Sequence, residues 1–342
     1  MSRPTPAWQK VALSSGAVIG AAAVFNALVR RGVNKLANPI GGEEGGFSWR
    51  GRRVAFTVRG SGPPILLVHS IGPVAWSYEW RNNVDALART NTVYTLDLLG
   101  FGRSDRPGVR YSARVYISLI SDFAAQVIGQ PCVLVASSLS AAYAVVLGAR
   151  DPHRFPALVL VQSAGLVKPS EVPRITGEAR RFTVETPLIG TAIFNTLMSR
   201  RGVRAHLERM YADDTNVTQE LVEMSYQTAH QKGARRAPAA FFTGHLNIDV
   251  ARALRRITQP MLLIWGEEGS VVPLDEATRI RALQPKADLQ ILSPAGDLPH
   301  DERADDFNVI VSTWLTRQSL SSAPTPGTLP GTLVGSQRTS PP

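Results

Sequence analysis

The stretch Val133-Leu-Val-Ala-Ser-Ser-Leu-Ser-Ala-Ala-Tyr-Ala144 constrains this chain more than any other. An apolar run stops at small residues, presents a serine and restarts as an alanine-rich segment of helical character. That pattern predicts a strained strand-to-helix turn with a serine hydroxyl exposed at its apex. The backbone of such a turn runs against its neighbours, so the positions two before and two after the serine must be small. Ala136 and Ser140 satisfy this around Ser138, whereas centring on Ser137 would put Val135 and Leu139 in the tight places. The glycines usual at these positions are absent, and a buried strand leading into a small-residue helix is the competing reading.

Other apolar runs share this character. Pro64–Val68 leads into His69-Ser-Ile-Gly72, and Thr92–Leu96 breaks at Gly100 and Gly102. Ala157–Gln162, Pro260–Gly266 and Leu289–Ser293 follow. They alternate with helix-compatible segments at Ser112–Gly129, Ser140–Arg150, Leu274–Leu283 and Asp301–Leu315. Strands apolar on both faces and alternating with helices predict an α/β fold with a mostly parallel sheet, covered on both faces. The strings LLVHSIG, LDLLGFGRSDRP and PHDERADDFN, and their order, resemble the α/β-hydrolase family over about residues 47–170 and 251–318. YTLDLLGFGRSD is most similar to the branch that includes pheophytinase-like proteins, a likeness that sets no substrate.

The resemblance implies a Ser-His-acid relay, and two of its positions are substituted. The family's acid follows the strand at Met261–Trp265, where this chain has Gly269. The histidine follows a glycine after the last strand, where Asp297 stands in Ala295-Gly-Asp-Leu-Pro-His300. A serine hydroxyl is a weak nucleophile without an adjacent base. An ordinary carboxylate is too weakly basic near neutral pH to replace imidazole unless burial raises its pKa. Two repairs are open: His300, three residues beyond Asp297, as the base, and Glu268, next to the missing acid, to orient it. Alternatively His300 braces the start of the last helix. His69 reads as a loop brace and His153 as a surface residue, while His206, His230 and His245 have no metal-ligand spacing. The resemblance also implies an oxyanion hole from the backbone N–H groups of Ile71 and Leu139.

With 342 residues and 44% hydrophobic content, the chain can bury one large core plus an insertion. The net charge of +10 comes largely from scattered arginines, with no basic run interleaved with aromatics, which argues against nucleic-acid binding. The single cysteine, Cys132, falls in a predicted central strand and reads as a buried thiol. Val11–Val29 carries no charge and is closed by Arg30-Arg31, which predicts a membrane-associated helix, long enough to be transmembrane, with the catalytic domain on the cytoplasmic side. A packing helix and a cleaved signal are the alternatives.

The expected organisation is an N-terminal helix and linker (1–46), a first core part (47–167), a helical lid (168–256) between the sixth and seventh core strands, a second core part (257–318) and a disordered tail (319–342). Lid helices are expected at Pro187–Ser199, Val203–Tyr211, Thr218–Gln231 and Ala237–Thr243. The expected activity is esterase- or acyl-transfer-type chemistry on an apolar small molecule, with Ser138 as nucleophile and no metal or cofactor. The alternative is a catalytically inactive, ligand-binding relative.

Overall fold

The computed structural model describes residues 7–166, 187–242 and 244–321, with side chains for 18–166, 188–241 and 244–318. The chain opens with α1 (Ala7–Arg31) and a hairpin of β1 (Glu43–Trp49) and β2 (Arg52–Arg59). Arg50 and Gly51 join the two strands with φ of 50° and 69°. Two residues at positive φ give a turn whose twist matches that of the paired strands. Then come β3 (Pro64–Val68), a 3-10 turn at Ser77–Trp80, α2 (Val84–Leu87) and β4 (Thr92–Leu96). They are followed by α3 (Ala113–Phe123), β5 (Val133–Ser137), α4 (Leu139–Arg150) and β6 (Leu158–Val161).

After β6 the insertion supplies α5 (Pro187–Leu197), α6 (Arg200–Glu208), α7 (Gln219–Ala229), α8 (Arg236–Phe242) and α9 (Ala251–Leu254). Ser199 caps α6 by accepting from the Gly202 N–H, and Thr218 caps α7 by accepting from Leu221. The start of the expected lid, residues 168–186, lies outside the described residues. The chain closes with β7 (Met261–Gly266), α10 (Leu274–Leu283), β8 (Asp288–Leu292), α11 (Pro299–Glu302) and α12 (Ala304–Ser321). The last helix runs past the expected start of the tail at 319, and residues 322–342 lie outside the description.

The strands form one eight-stranded sheet in the order β1-β2-β4-β3-β5-β6-β7-β8. β1 with β2 and β2 with β4 are antiparallel pairs, and every pairing from β4 to β8 is parallel. β3, β6 and β7 are buried at every position. Alternation along β3 sends Leu66 and Val68 to a layer with Tyr116 and Phe123, and Ile65 and Leu67 to one with Trp76, Trp80 and Phe307. Each fully buried Leu or Ile contributes about 1.5–3 kcal/mol by leaving water. The parallel strands all end on one side, the edge where sheets of this kind carry their ligands.

The N-terminal segment forms a helix, but no helix among the described residues is long and apolar enough to cross a membrane. The expected transmembrane helix at 11–29, and the membrane-side placement inferred from it, are therefore corrected. Ser14, Ser15, Gly16, Gly20 and Asn26 dilute the apolar run. Asn26 is only 3% exposed. Its Nδ2 donates to the Leu188 carbonyl at 2.8 Å and its Oδ1 accepts from Asn195 at 3.0 Å, so α1 packs on α5 through a polar contact.

Candidate active site

Ser138 stands between β5 and α4 at φ 54° and ψ −123°, a region that costs a non-glycine residue about 1–3 kcal/mol. Surrounding hydrogen bonds impose this conformation. The Ser138 N–H donates to the Val161 carbonyl at 2.8 Å, and its own carbonyl accepts from Ala141 at 3.1 Å and Ala164 at 3.2 Å. Ala136 and Ser140, the two tight positions, are fully buried. Ser140 Oγ donates to the His69 carbonyl at 2.6 Å and so fastens the start of α4 to the loop after β3. The Ser138 hydroxyl is half-buried, faces a cavity and has no hydrogen-bond partner among the described residues.

Leu139 is the first residue of α4, so its N–H has no acceptor within the helix. Among the described residues neither this N–H nor that of Ile71 meets an acceptor. Their loop is held firmly. The Glu79 carboxylate accepts the Ser70 N–H at 3.0 Å and the Ser70 hydroxyl at 2.6 Å. His69 bonds the Ser70 carbonyl through Nδ1 at 2.6 Å, and its Nε2 accepts from the Leu98 N–H at 3.0 Å. Accepting through Nε2 requires neutral imidazole. Burial enforces this by pushing the His69 pKa down, against the pull of Glu79 and Asp97. His69 is thus a brace for the loop.

Asp297, where the resemblance implies a histidine, is 4% exposed, meets the loop after β7 and is not among the residues lining the cavity that Ser138 faces. Its carboxylate accepts from the backbone N–H groups of Ser270 (3.1 Å), Val271 (3.0 Å) and Val272 (3.3 Å). The Ser270 hydroxyl adds a bond at 3.2 Å and the Gln162 amide one at 3.3 Å. Successive backbone N–H groups of this kind make a concave anion site. Gln162 fills the space beside Gly269. Its Oε1 accepts from Gly266 N–H at 3.1 Å, and a Cβ on residue 269 would lie 2.0 Å from its Nε2. Gly269 is therefore required by Gln162.

The structure does not bring His300 or Glu268 to Ser138. His300 is fully buried in α11, with its ring 4.3 Å from that of Trp80 and its Nε2 3.4 Å from Glu79 Oε1. That contact lacks hydrogen-bond geometry, and neither ring nitrogen has a hydrogen-bond partner among the described residues. The Glu268 carboxylate accepts from the Ala295 N–H at 2.8 Å, tying two loops together. Neither residue lines the cavity over Ser138.

That cavity measures about 840 Å³ between the sheet edge and the lid. Trp76, Met198, Leu207, Leu221 and Phe241 form much of its wall, with Ser70, Ile71, Glu79 and Ser138 at one part of the floor. His206, on α6, also lines it, with a pKa lowered by burial and by Arg209. The sequence pattern did not single out Glu79, Gln162 or His206 for the site. Glu79 carries a signal, as a carboxylate set among Tyr78 and Trp80, but its contact with Ser70 is visible only once the chain is folded. Among the described residues no group of three His, Cys, Asp or Glu side chains is arranged to hold a metal ion.

The sequence pattern described as "Alpha/beta hydrolase family" matches residues 65–309. A 2-hydroxymuconate semialdehyde hydrolase of Pseudomonas sp. (strain CF600) is 27% identical over 269 residues, 75% of this chain and 88% of that protein. An uncharacterised protein of Mycobacterium tuberculosis is 28% identical over 268 residues, 76% of this chain and 77% of that protein. Among solved structures, a serine hydrolase involved in carbazole degradation superposes with a TM-score of 0.68 at 24% identity, covering 80% of this chain and 99% of that one. These structural likenesses establish the fold.

Proposed function

The chain belongs to the α/β-hydrolase family, and we propose that it binds an apolar carbonyl compound over Ser138 without Ser-His-acid hydrolysis. Of the two readings open in the sequence, the geometry favours the ligand-binding one. The observation that carries it is the Asp297 carboxylate, fully engaged by the 270–272 backbone. Those hydrogen bonds commit the carboxylate to the loop after β7, and Asp297 is not among the residues lining the cavity that Ser138 faces. The free N–H groups of Ile71 and Leu139 still suit a carbonyl oxygen, whether or not the ligand reacts. The apolar wall supplies affinity by burial.

Two measurements test this reading. Titration with 2-decanone should quench tryptophan fluorescence saturably, since Trp76 lines the cavity. A fluorophosphonate probe and p-nitrophenyl butyrate should neither label the protein nor be turned over, with an active serine hydrolase as control. Labelling or turnover that disappears in Ser138→Ala would overturn the proposal. One observation favours a second reading, esterase chemistry with a base from the lid: His206 shares the cavity with Ser138. In that case turnover would be present and would vanish in His206→Ala.

A further inference from the structure

We infer that Glu79 is a specificity-determining residue that admits uncharged carbonyl ligands to the cavity and excludes carboxylates. This rests on the ligand-binding reading and deepens it. Glu79 is 9% exposed, lines the same cavity as Ser138 and Ile71, and holds both the N–H and the hydroxyl of Ser70. A carboxylate is therefore hydrogen-bonded to Ser70, the residue next to Ile71, a proposed carbonyl-oxygen donor.

The charges around Glu79 leave its negative end toward the ligand. Burial works against ionisation, while the N–H and the hydroxyl of Ser70 both donate to the carboxylate and favour its charged form. His300 does not line the cavity, so any positive charge there lies behind Glu79. Arg81 does line it but is committed to Asp301 at 2.8 Å, and its guanidinium lies over the Tyr78 ring. His206, Arg209, Glu208 and Asp214 line the cavity from the lid and its following loop.

Opposing this is the positive end of α4, together with the Ile71 and Leu139 N–H groups, which attract anions. A helix terminus is equivalent to about half a charge, whereas Glu79 carries a full one in a poorly solvated wall. The Ser70 N–H is not available to an anion, because it already serves Glu79. Repulsion wins for a ligand carboxylate. A ketone, ester or amide keeps the hydrogen bonds and escapes the repulsion.

The test is a fluorescence titration of wild type and Glu79→Gln with 2-decanone, decanamide and decanoate in mildly alkaline buffer. Wild type should bind the two neutral ligands at least about tenfold more tightly than decanoate. Glu79→Gln, which keeps an acceptor for Ser70, should tighten decanoate about tenfold and alter 2-decanone by less than about twofold. The wild-type series stands by itself if the variant does not fold. Neutral ligands binding no better than decanoate, or an unchanged preference in folded Glu79→Gln, would refute the role of Glu79 alone. Failure of all three ligands to bind wild type would refute the ligand-binding reading and this inference with it.

Discussion

Replacing Asp297 with alanine separates a structural carboxylate from a catalytic one. The substitution removes the shared acceptor of the Ser270, Val271 and Val272 N–H groups, the Ser270 hydroxyl and the Gln162 amide. Val272 is 3% exposed, so its N–H would be left in a dry environment, at a cost of about 1–3 kcal/mol. Ser270 and Val271 are exposed residues whose N–H groups water can reach, so each loses roughly 0.5 kcal/mol rather than its full value. The total comes to about 2–4 kcal/mol. At about 2–4 °C per kcal/mol for a domain of this size class, the melting temperature should fall by roughly 4–16 °C. Asp297→Asn keeps the shape and one carbonyl oxygen and should lose about half as much. Thermal melts followed by circular dichroism, with Ser138→Ala as a control that keeps wild-type stability or better, make the measurement. An Asp297→Ala protein that melts with wild type but loses a measurable esterase activity would refute the structural role and make Asp297 the base.

Ser138→Gly should stabilise the fold by about 1–2 kcal/mol, because glycine adopts φ 54° without the steric cost, and urea midpoints should rise at an unchanged slope. His69, whose folded pKa lies below 6.5, stays neutral in the fold while the unfolded chain takes up its proton as pH falls through that value. Its contribution is therefore present above about pH 6.5 and lost below it, and urea stability should fall more steeply on acidification in wild type than in His69→Gln. Gly269→Asp with Asp297→His should fail to create ester turnover and should melt low, because the new Cβ would lie 2.0 Å from Gln162 Nε2. Adding Gln162→Ala should recover stability and give measurable p-nitrophenyl ester hydrolysis; a double variant as active as the triple would show that Gln162 is no obstacle.

The parallel half of the sheet was legible because β3, β5, β6 and β7 are continuous apolar runs ended by small residues. The centring of the turn on Ser138 was legible from side-chain size alone. The β1–β2 hairpin was less so, since Glu43-Glu-Gly-Gly46 shows little alternation and its pairing with Phe56 and Val58 is a tertiary property. A charge-free helix resembles a membrane segment until its partner is known. Asn26, a polar residue inside the run, was the clue that α1 packs on protein. That Gly269 and Asp297 stand where the family resemblance implies an acid and a histidine could be read from the sequence. Where the Asp297 carboxylate points could not, because Val271 and Asp297 meet only through the folding of two separate loops.

The substitutions around the relay form a connected set. Gln162 extends from the end of β6 and reaches Gly266, Val272 and Asp297 at once. That reach is possible because residue 269 has no side chain, and the loop after β7 gains in Asp297 an acceptor for three successive N–H groups. Histidine could not replace that carboxylate, since imidazole offers one acceptor nitrogen where the loop presents several donors. The turn at Ser138, by contrast, holds a strained serine, buried small neighbours and two N–H groups that meet no acceptor among the described residues. The region around Gly269 and Asp297 is hydrogen-bonded through, while the half with Ser138, Ile71 and Leu139 stays open to the cavity. That division is what the proposed reading, a site that holds a carbonyl compound without cleaving it, calls for.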